Sequence, residues 1–186
     1  RQAKDWATGY NSPALRAGRF VQEAFPNRNP AGMQGFVFNT RKPMFQDPRV
    51  REAIAQLFDF EWANKQLFYG AYKRTHSYFE NSEMAARGLP SPAELKLLEP
   101  LRGQIPDRVF TEAFAPPVSD GSGIIRDQAR RAYQLLTEAG YRIENDKMVD
   151  ANGNQLAFEF LNTQANLEPV SYTHLTLPTK SIVSIS

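Results

Sequence analysis

The sequence predicts a mixed α/β fold, and two stretches of the chain carry that prediction. Residues 34–59 read as a strand, a tight turn and a capped helix, and residues 127–161 read as an amphipathic helix followed by a hairpin. Helical and strand-like patterns that alternate along one chain are typical of mixed folds rather than of bundles or sandwiches. With 186 residues, of which 41% are apolar, the chain is long enough for one domain with a sizeable core.

Two strands are predicted in the first forty residues. Aromatic and β-branched residues at Gln34–Asn39 suit a strand, and Lys42-Pro43 ends it because proline lacks the N–H that a central strand donates. An earlier apolar run at Phe20–Phe25 ends at Pro26. We expect the two strands to lie in one sheet.

Two capped helices follow these strands. Asp47 is a typical N-cap, and Pro48 suits the first helical position, where no N–H is needed. Apolar residues then recur at helical spacing, namely Val50, Ile54, Leu57 and Phe58. We predict helices at 48–58 and 61–68, with Asp59 as the cap of the second.

The remaining elements are predicted from shorter signals. Ser12-Pro13 and Ser91-Pro92-x-Glu94 are helix starts, the second with a capping-box glutamate. Further along, the strongest helical pattern begins at Asp127 and ends at Gly140. The predicted elements are helices at 13–17, 83–87, 92–101 and 127–139, loops at 70–80 and 106–123, and a hairpin of 147–149 with 155–161.

Catalytic and metal-binding patterns are absent from the sequence. The chain has no cysteine, and His76 has neither a Gly-x-Ser-x-Gly serine nor a pair of metal ligands at helical spacing around it. Gly121-Ser122-Gly123 lacks the Gly-Lys-Ser/Thr of a phosphate loop, so we interpret it as a flexible loop. The formal charge of +2 and the scattered basic residues argue against nucleic acid and membrane surfaces. We therefore predict a protein that is not an enzyme and that needs no cofactor, metal or membrane insertion.

Two motifs resemble family 5 of the bacterial extracellular solute-binding proteins, the dipeptide, oligopeptide and nickel receptors of ABC importers. The first consists of Phe38-Asn39-Thr40, Pro43, Phe45, Asp47, Arg49-Val50-Arg51, Ala53 and Asp59. The second is a helix that ends in Leu135-Leu136-Thr137-Glu138-Ala139-Gly140-Tyr141. The segment between the motifs resembles the branch that serves microcin C-type peptide importers.

The resemblance implies a two-lobed periplasmic-binding-protein fold, of which residues 1–161 form part of one lobe. It implies capture of a peptide or peptide-like compound in the periplasm and delivery to the permease subunits of an ABC importer, by a protein that is a monomer at full length. We expect the chain to be an internal fragment of such a receptor. Two alternatives remain at this point: a ligand-sensing domain of a transcriptional regulator, and a fragment of an enzyme whose catalytic residues lie elsewhere.

The resemblance also places a ligand site. By position, Gln34, Gly35 and Val37 on the strand and Phe68 and Tyr69 after the second helix approach the peptide pocket, and Tyr72 extends the aromatic string. Tyrosines suit variable peptides because their rings are apolar and their tips polar. Val37 and Phe68 cannot pair with a charged peptide terminus, which implies a different peptide class or main-chain recognition. The alternative is that these aromatics only pack the lobe.

Three residues near the helix starts admit a structural interpretation. Arg49 and Arg51 point to different sides of their helix, so we expect one to pair with Asp47 or Asp59 and the other to face water, rather than to form an anion site. Trp62 is expected to belong to the core.

The end of the chain departs from these patterns. Residues 170–186 begin VSYTHLTLPT, and a possible back-translation of these letters resembles the reverse read of a common transposase sequencing adapter. We expect this segment to be translated adapter rather than a folded part, with an uncertain junction at 162–169. The alternative is a genuine polar tail.

Overall fold

The structure is a computed structural model that describes residues 3–26, 28–33, 35–160 and the backbone of 182–184. The described residues contain six α-helices and four β-strands: α1 Pro13–Arg16, α2 Pro48–Gln56, α3 Phe60–Gln66, α4 Pro92–Leu98, α5 Arg108–Thr111, α6 Arg126–Glu138, β1 Arg142–Glu144, β2 Lys147–Val149, β3 Ala157–Glu159 and β4 Ile182–Ser184. The chain forms two compact units. The first unit comprises residues 1–35 and 72–116, and the second comprises 36–71 and 117–186.

The second unit has a hydrophobic core between α2 and α6. Both helices bury one apolar face, as their sequence periodicity predicts, and the strands close the core. Its buried side chains are those of Phe45, Val50, Ala53, Ala132, Leu135, Leu136, Met148, Leu156 and Phe158. A fully buried aliphatic side chain of this kind contributes about 1.5–3 kcal/mol to folding. This core holds α2 and the residues that follow it in place.

The predicted caps of α2 and α3 are confirmed. Asp47 Oδ1 accepts the backbone N–H of Arg49 at 2.8 Å, and Asp59 Oδ1 accepts that of Trp62 at 2.9 Å. A 3₁₀ turn at Pro43–Phe45 begins at the proline that was expected to end the preceding strand. Both helices end two residues earlier than predicted, at Gln56 and Gln66, because the backbone that follows these residues is no longer helical.

The predicted strands at 20–25 and 34–39 are not strands. Gln34 lies outside the described residues, and the backbone at Phe20–Phe25 and Gly35–Asn39 is irregular. Ring packing replaces ladder pairing: in the second unit Phe36 packs on Phe160 with ring centroids 4.6 Å apart, and Phe38 packs on Phe45 at 5.2 Å. The aromatic pattern thus indicated packing of rings and not a sheet.

The hairpins differ from the prediction. β1 and β2 pair through Asn145-Asp146, whose φ values of 51° and 60° are those of a tight hairpin turn. The predicted hairpin around Asp150–Asn154 is reduced to one antiparallel bridge between Val149 and Gln155. Beyond it, β3 pairs with β4 instead. Leu156 and Phe158 are buried and alternate with the half-buried Ala157 and the exposed Glu159.

The first unit is built from short helices. Ser12 caps α1 and Ser91 caps α4, where Glu94 completes the capping box in both directions, as predicted. The predicted helix at 83–87 is not a helix: a turn that ends at Met84 is followed by irregular backbone at 85–87. The loop predicted at 106–123 contains α5.

The fold class is a mixture of helices with small sheets, consistent with part of a solute-binding protein fold. The assignment of residues 1–161 to one lobe stays a prediction. Residues 161–181 and 185–186 lie outside the described residues, so the predicted junction and nearly all of the predicted adapter tail lie there too.

Candidate functional site

The candidate site is a shallow cavity along α3, within the second unit. Its volume is about 470 Å³, and its walls are aromatic, amide, charged and main-chain groups: Phe60, Glu61, Asn64, Lys65, Tyr69 and Gly70. Residues spaced four apart on a helix share one face, so Glu61 and Lys65 face the same side. The cavity is therefore amphipathic, with rings for apolar groups and two opposite charges.

The turn after α3 presents Tyr69 in an unusual backbone conformation. Tyr69 has φ of 55° and Gly70 has φ of 71°. A non-glycine residue in this region costs about 1–3 kcal/mol and persists only where the surroundings hold it. Here the carbonyl of Asn64 accepts the N–H groups of Phe68 at 3.2 Å and Gly70 at 2.8 Å. This local strain sets the direction in which the Tyr69 ring leaves the helix end.

Glu61 is held by a hydrogen-bond network that reaches a distant part of the chain. Ser119 donates its backbone N–H to Glu61 Oε2 at 3.0 Å, and its hydroxyl oxygen lies 3.2 Å from the same atom. The hydroxyl also lies 2.5 Å from Asp59 Oδ1, and it accepts the N–H of Gly121 at 3.0 Å. We call Asp59, Glu61 and Ser119 the serine clamp.

The serine clamp separates two charges that would otherwise meet. A glutamate four residues before a lysine is the favourable order for a helical ion pair, worth about 0.2–0.5 kcal/mol. Within the described part of the chain no ion pair joins Glu61 to Lys65, and Glu61 is directed to Ser119 instead. Both charges therefore remain available at the cavity.

Asp59 is the buried charged residue of the unit, with 7% of its surface exposed. Its Oδ1 accepts two hydrogen bonds, whereas its buried Oδ2 has no partner among the described residues. A buried oxygen without a partner costs about 1–3 kcal/mol. The carboxylate thus adds negative charge beside Glu61.

The loop after Ser119 packs on α3 and is not simply a flexible loop, as its glycines had suggested. A Cβ atom at Gly121 would lie 3.4 Å from Cβ of Glu61, and one at Gly123 would lie 3.0 Å from the Trp62 indole. Trp62 itself is half-buried rather than fully in the core. The glycines allow the loop to approach closely enough for Ser119 to reach Glu61.

The structure places the six predicted site residues in different surroundings. Tyr69 lines the cavity, and Phe68 beside it is half-buried. Val37, in the same unit, is 91% exposed, whereas Gly35 and Tyr72 belong to the first unit and are exposed. Gln34 lies outside the described residues. Their joint role as a peptide site stays a prediction.

Sequence reasoning missed five residues of the cavity: Phe60, Glu61, Asn64, Lys65 and Gly70. A signal for Glu61 and Lys65 exists, because positions 61, 65 and 69 are spaced by four and so follow one helix face toward the predicted Tyr69. Ser119 offers no such signal, since it is 58 residues from Glu61.

The two arginines of α2 have structural roles. Arg49 pairs with Asp47, as predicted, with Nη2 2.6 Å from Oδ2, and also donates to the carbonyl of Glu138. Hydrogen bonding to Arg49 lowers the pKa of Asp47. The other arginine of the pair was expected to face water, but Arg51 is half-buried and donates to the carbonyls of Phe45 and Gln46. Those carbonyls need donors because the 3₁₀ turn leaves them unpaired.

A second cavity of about 310 Å³ lies in the first unit. Trp6 packs edge-on against Tyr10, and Tyr10 stacks on Phe20. The side chain of Gln22 donates to the carbonyl of Trp6 at 2.6 Å. The sequence analysis did not predict this aromatic cluster.

The cavity along α3 thus combines ring surface with opposite charges within one short segment of the chain. Residues 1–173 match the model of a protein family described as "Bacterial extracellular solute-binding proteins, family 5 Middle", and the chain belongs to this family. The match ends inside the segment 170–186 for which an adapter origin is predicted. No helix in the described ranges is both long and apolar enough to cross a membrane.

Several curated relatives are similar to the chain. An uncharacterized protein, YejA of Escherichia coli, is 44% identical over 160 residues, which is 86% of this chain and 26% of the relative. A protein of Agrobacterium fabrum named as a probable peptide-binding protein, YejA, is 42% identical over 88% of this chain and 27% of its own length. A protein of the same organism named as a peptidoglycan-binding protein, YepA, is 41% identical over 91% of this chain and 28% of its own length. The chain thus spans just over a quarter of the length of these relatives.

Proposed function

We propose that the chain is part of the substrate-binding component of an ABC importer, which captures peptides or peptide-like compounds in the periplasm and delivers them to the permease subunits. The observation that carries the proposal is the family 5 match over residues 1–173. The name of the probable peptide-binding relative at 42% identity supports a peptide as the ligand. Within the proposal the whole protein is a monomer that binds its ligand without chemical change and without a cofactor.

The cavity along α3 has the chemistry that a peptide ligand requires. Phe60 and Tyr69 offer rings to apolar side chains, and Glu61 and Lys65 offer opposite charges to polar ones. An open cavity of this size contacts only part of a peptide. Binding by this chain alone is therefore expected to be weak, and the predicted residues Gln34, Gly35, Val37, Phe68 and Tyr72 remain proposed contacts.

The first test of the proposal is a titration of the isotopically labelled 186-residue chain with tripeptides at millimolar concentration, followed by NMR. We expect saturable shifts of the backbone amides of Asn64, Tyr69 and Gly70. Tyr69→Gly removes the ring and relieves the positive φ, so the variant should fold and bind about two- to tenfold more weakly, as loss of one aromatic contact implies.

Tyr78→Ala is the matched control, because Tyr78 is an exposed tyrosine of the first unit, away from the cavity residues in sequence. It should bind as the unchanged chain does. The absence of saturable shifts with every peptide would contradict the proposal, and equal binding by Tyr69→Gly would remove the cavity from it.

A second candidate ligand is a peptide derived from peptidoglycan. It is favoured by the 41% identity to the relative named as a peptidoglycan-binding protein. The same titration with a muramyl peptide and with its free peptide portion separates the two ligands: equal affinities favour a general peptide receptor, whereas tighter binding of the muramyl form favours the second candidate. The microcin C-type assignment is a finer form of the first proposal and rests on the motif resemblance alone.

A further inference from the structure

We infer that the cavity along α3 is a subsite for the basic side chain of a peptide ligand, with Glu61 as the group that receives the cation. This inference rests on the proposed peptide-binding function and adds a ligand chemistry to it. All of the residues that carry it belong to the second unit.

The first step is the preorganisation of Glu61. The backbone N–H of Ser119 donates to Oε2 at 3.0 Å, and the Ser119 hydroxyl group, whose single proton is closer to Asp59 Oδ1 at 2.5 Å, lies 3.2 Å from the same oxygen. The carboxylate is thereby oriented before any ligand arrives, while Oε1 accepts no hydrogen bond within the described residues. An oriented acceptor loses less side-chain freedom on binding than a mobile one.

The second step is the balance of charge and of ring surface. In the cavity lining, Glu61 and Lys65 carry opposite charges. A second carboxylate, that of the buried Asp59, contacts the same Ser119 hydroxyl group as Glu61, so these three residues hold two carboxylates and one cation. Rings of Phe60 and Tyr69 line the same cavity, and aromatic rings attract ammonium and guanidinium groups by their negative faces. These features together favour a cation with an apolar stem, which is the structure of a basic side chain.

The third step concerns Lys65, whose charge opposes a cationic ligand. It is exposed and makes no ion pair with Glu61, so its long side chain is held by no carboxylate in the part of the chain that is described. Its removal should therefore tighten the binding of a basic peptide. An anion-binding cavity would respond in the opposite direction, and this difference in sign makes Lys65 the most informative position.

The experiment compares Ala-Lys-Ala with Ala-norleucine-Ala, which has a side chain of similar length without the charge. Dissociation constants come from NMR titrations of the 186-residue chain. The unchanged chain should prefer the lysine peptide about two- to fivefold, the range of an exposed charge pair. Glu61→Gln should abolish this preference, and Lys65→Met should increase it about twofold.

Two further variants test the roles of position and of general charge. Ser119→Ala removes the clamp hydroxyl group and should lower the preference, whereas Ser119→Thr, which keeps the hydroxyl group, should restore it. Glu159→Gln, an exposed glutamate of the same unit, is the matched control and should leave the preference unchanged. The amide spectrum of each variant reports whether it folds.

The possible outcomes distinguish failure of the cationic subsite from failure of the proposed peptide-binding function. Equal affinities for the two peptides, or a weaker preference in Lys65→Met, would overturn the cationic subsite while peptide binding stands. Absence of binding by both peptides would overturn the proposed function itself.

Discussion

The close approach of Gly123 to Trp62 leads to a prediction that can be worked from the structure. A Cβ atom at Gly123 would lie 3.0 Å from Cδ1 and 3.0 Å from Nε1 of the indole. Gly123 also has φ of 81°, a conformation that L-residues adopt at a cost of about 1–2 kcal/mol. Gly123→Ala therefore combines backbone strain with a steric conflict against Trp62.

A matched control isolates the steric part. Gly153 has φ of 82°, and nothing lies within 4 Å of the Cβ atom that alanine would add there. Both substitutions restrict the unfolded chain in the same way, so this contribution cancels in the comparison. Overpacking costs about 1–3 kcal/mol, so we expect Gly123→Ala to lower the free energy of unfolding by that much more than Gly153→Ala does.

The assay is urea unfolding followed by tryptophan fluorescence. The chain has two tryptophans, Trp6 and Trp62, so a Trp6→Phe background makes Trp62 the reporter beside the substituted loop. With a denaturant slope of about 1–3 kcal/mol/M, the difference between the two variants should appear as a separation of roughly 1 M in their midpoints. Equal midpoints would refute the close packing of the loop on α3, and with it the means by which Ser119 reaches Glu61.

Two further predictions concern the core and the pH dependence of stability. Leu136→Ala should lower the free energy of unfolding by about 2–5 kcal/mol, because its side chain is fully buried between α2 and α6; a change below about 1 kcal/mol in urea unfolding would contradict that packing. Hydrogen bonding to Arg49 lowers the pKa of Asp47 in the folded chain. The stability that this carboxylate contributes is therefore fully present above the pKa that Asp47 has in the unfolded chain, and it is lost as the pH falls through the lower folded-state pKa. Asp47→Asn keeps the cap, so at neutral pH it should lower the free energy of unfolding by less than about 1 kcal/mol. In acid, the free energies of unfolding of the variant and the unchanged chain should become equal. A difference that grows as the pH falls would contradict the sign of this effect.

The helices of the chain could be predicted because their signals are local. Asp47, Asp59 and Ser91 each bind an N–H group two or three residues further along, and Gly140 ends α6 with φ of 89°. Such contacts depend on side-chain type and spacing, which the sequence displays directly.

The strands were predicted less well, because a strand depends on a partner that its own sequence does not specify. Phe36 and Phe38 have strand-like spacing, yet their rings pack on Phe160 and Phe45. The turn at Asn145-Asp146 pairs β1 with β2, while the Asn-Gly signal further along produces a single bridge. Residue type therefore did not specify which segments pair.

The sequence by itself determined the capped starts of α1 to α4, the apolar faces of α2 and α6, and the motifs that led to the solute-binding family. Tertiary structure alone decided the chemistry of the candidate site. Glu61 and Lys65 are spaced for an ion pair on α3, but Ser119, 58 residues away from Glu61, donates its backbone N–H to the Glu61 carboxylate instead. The physical reason is distance along the chain: propensity and capping act within a few residues, whereas the partner of a side chain across a fold is set by packing.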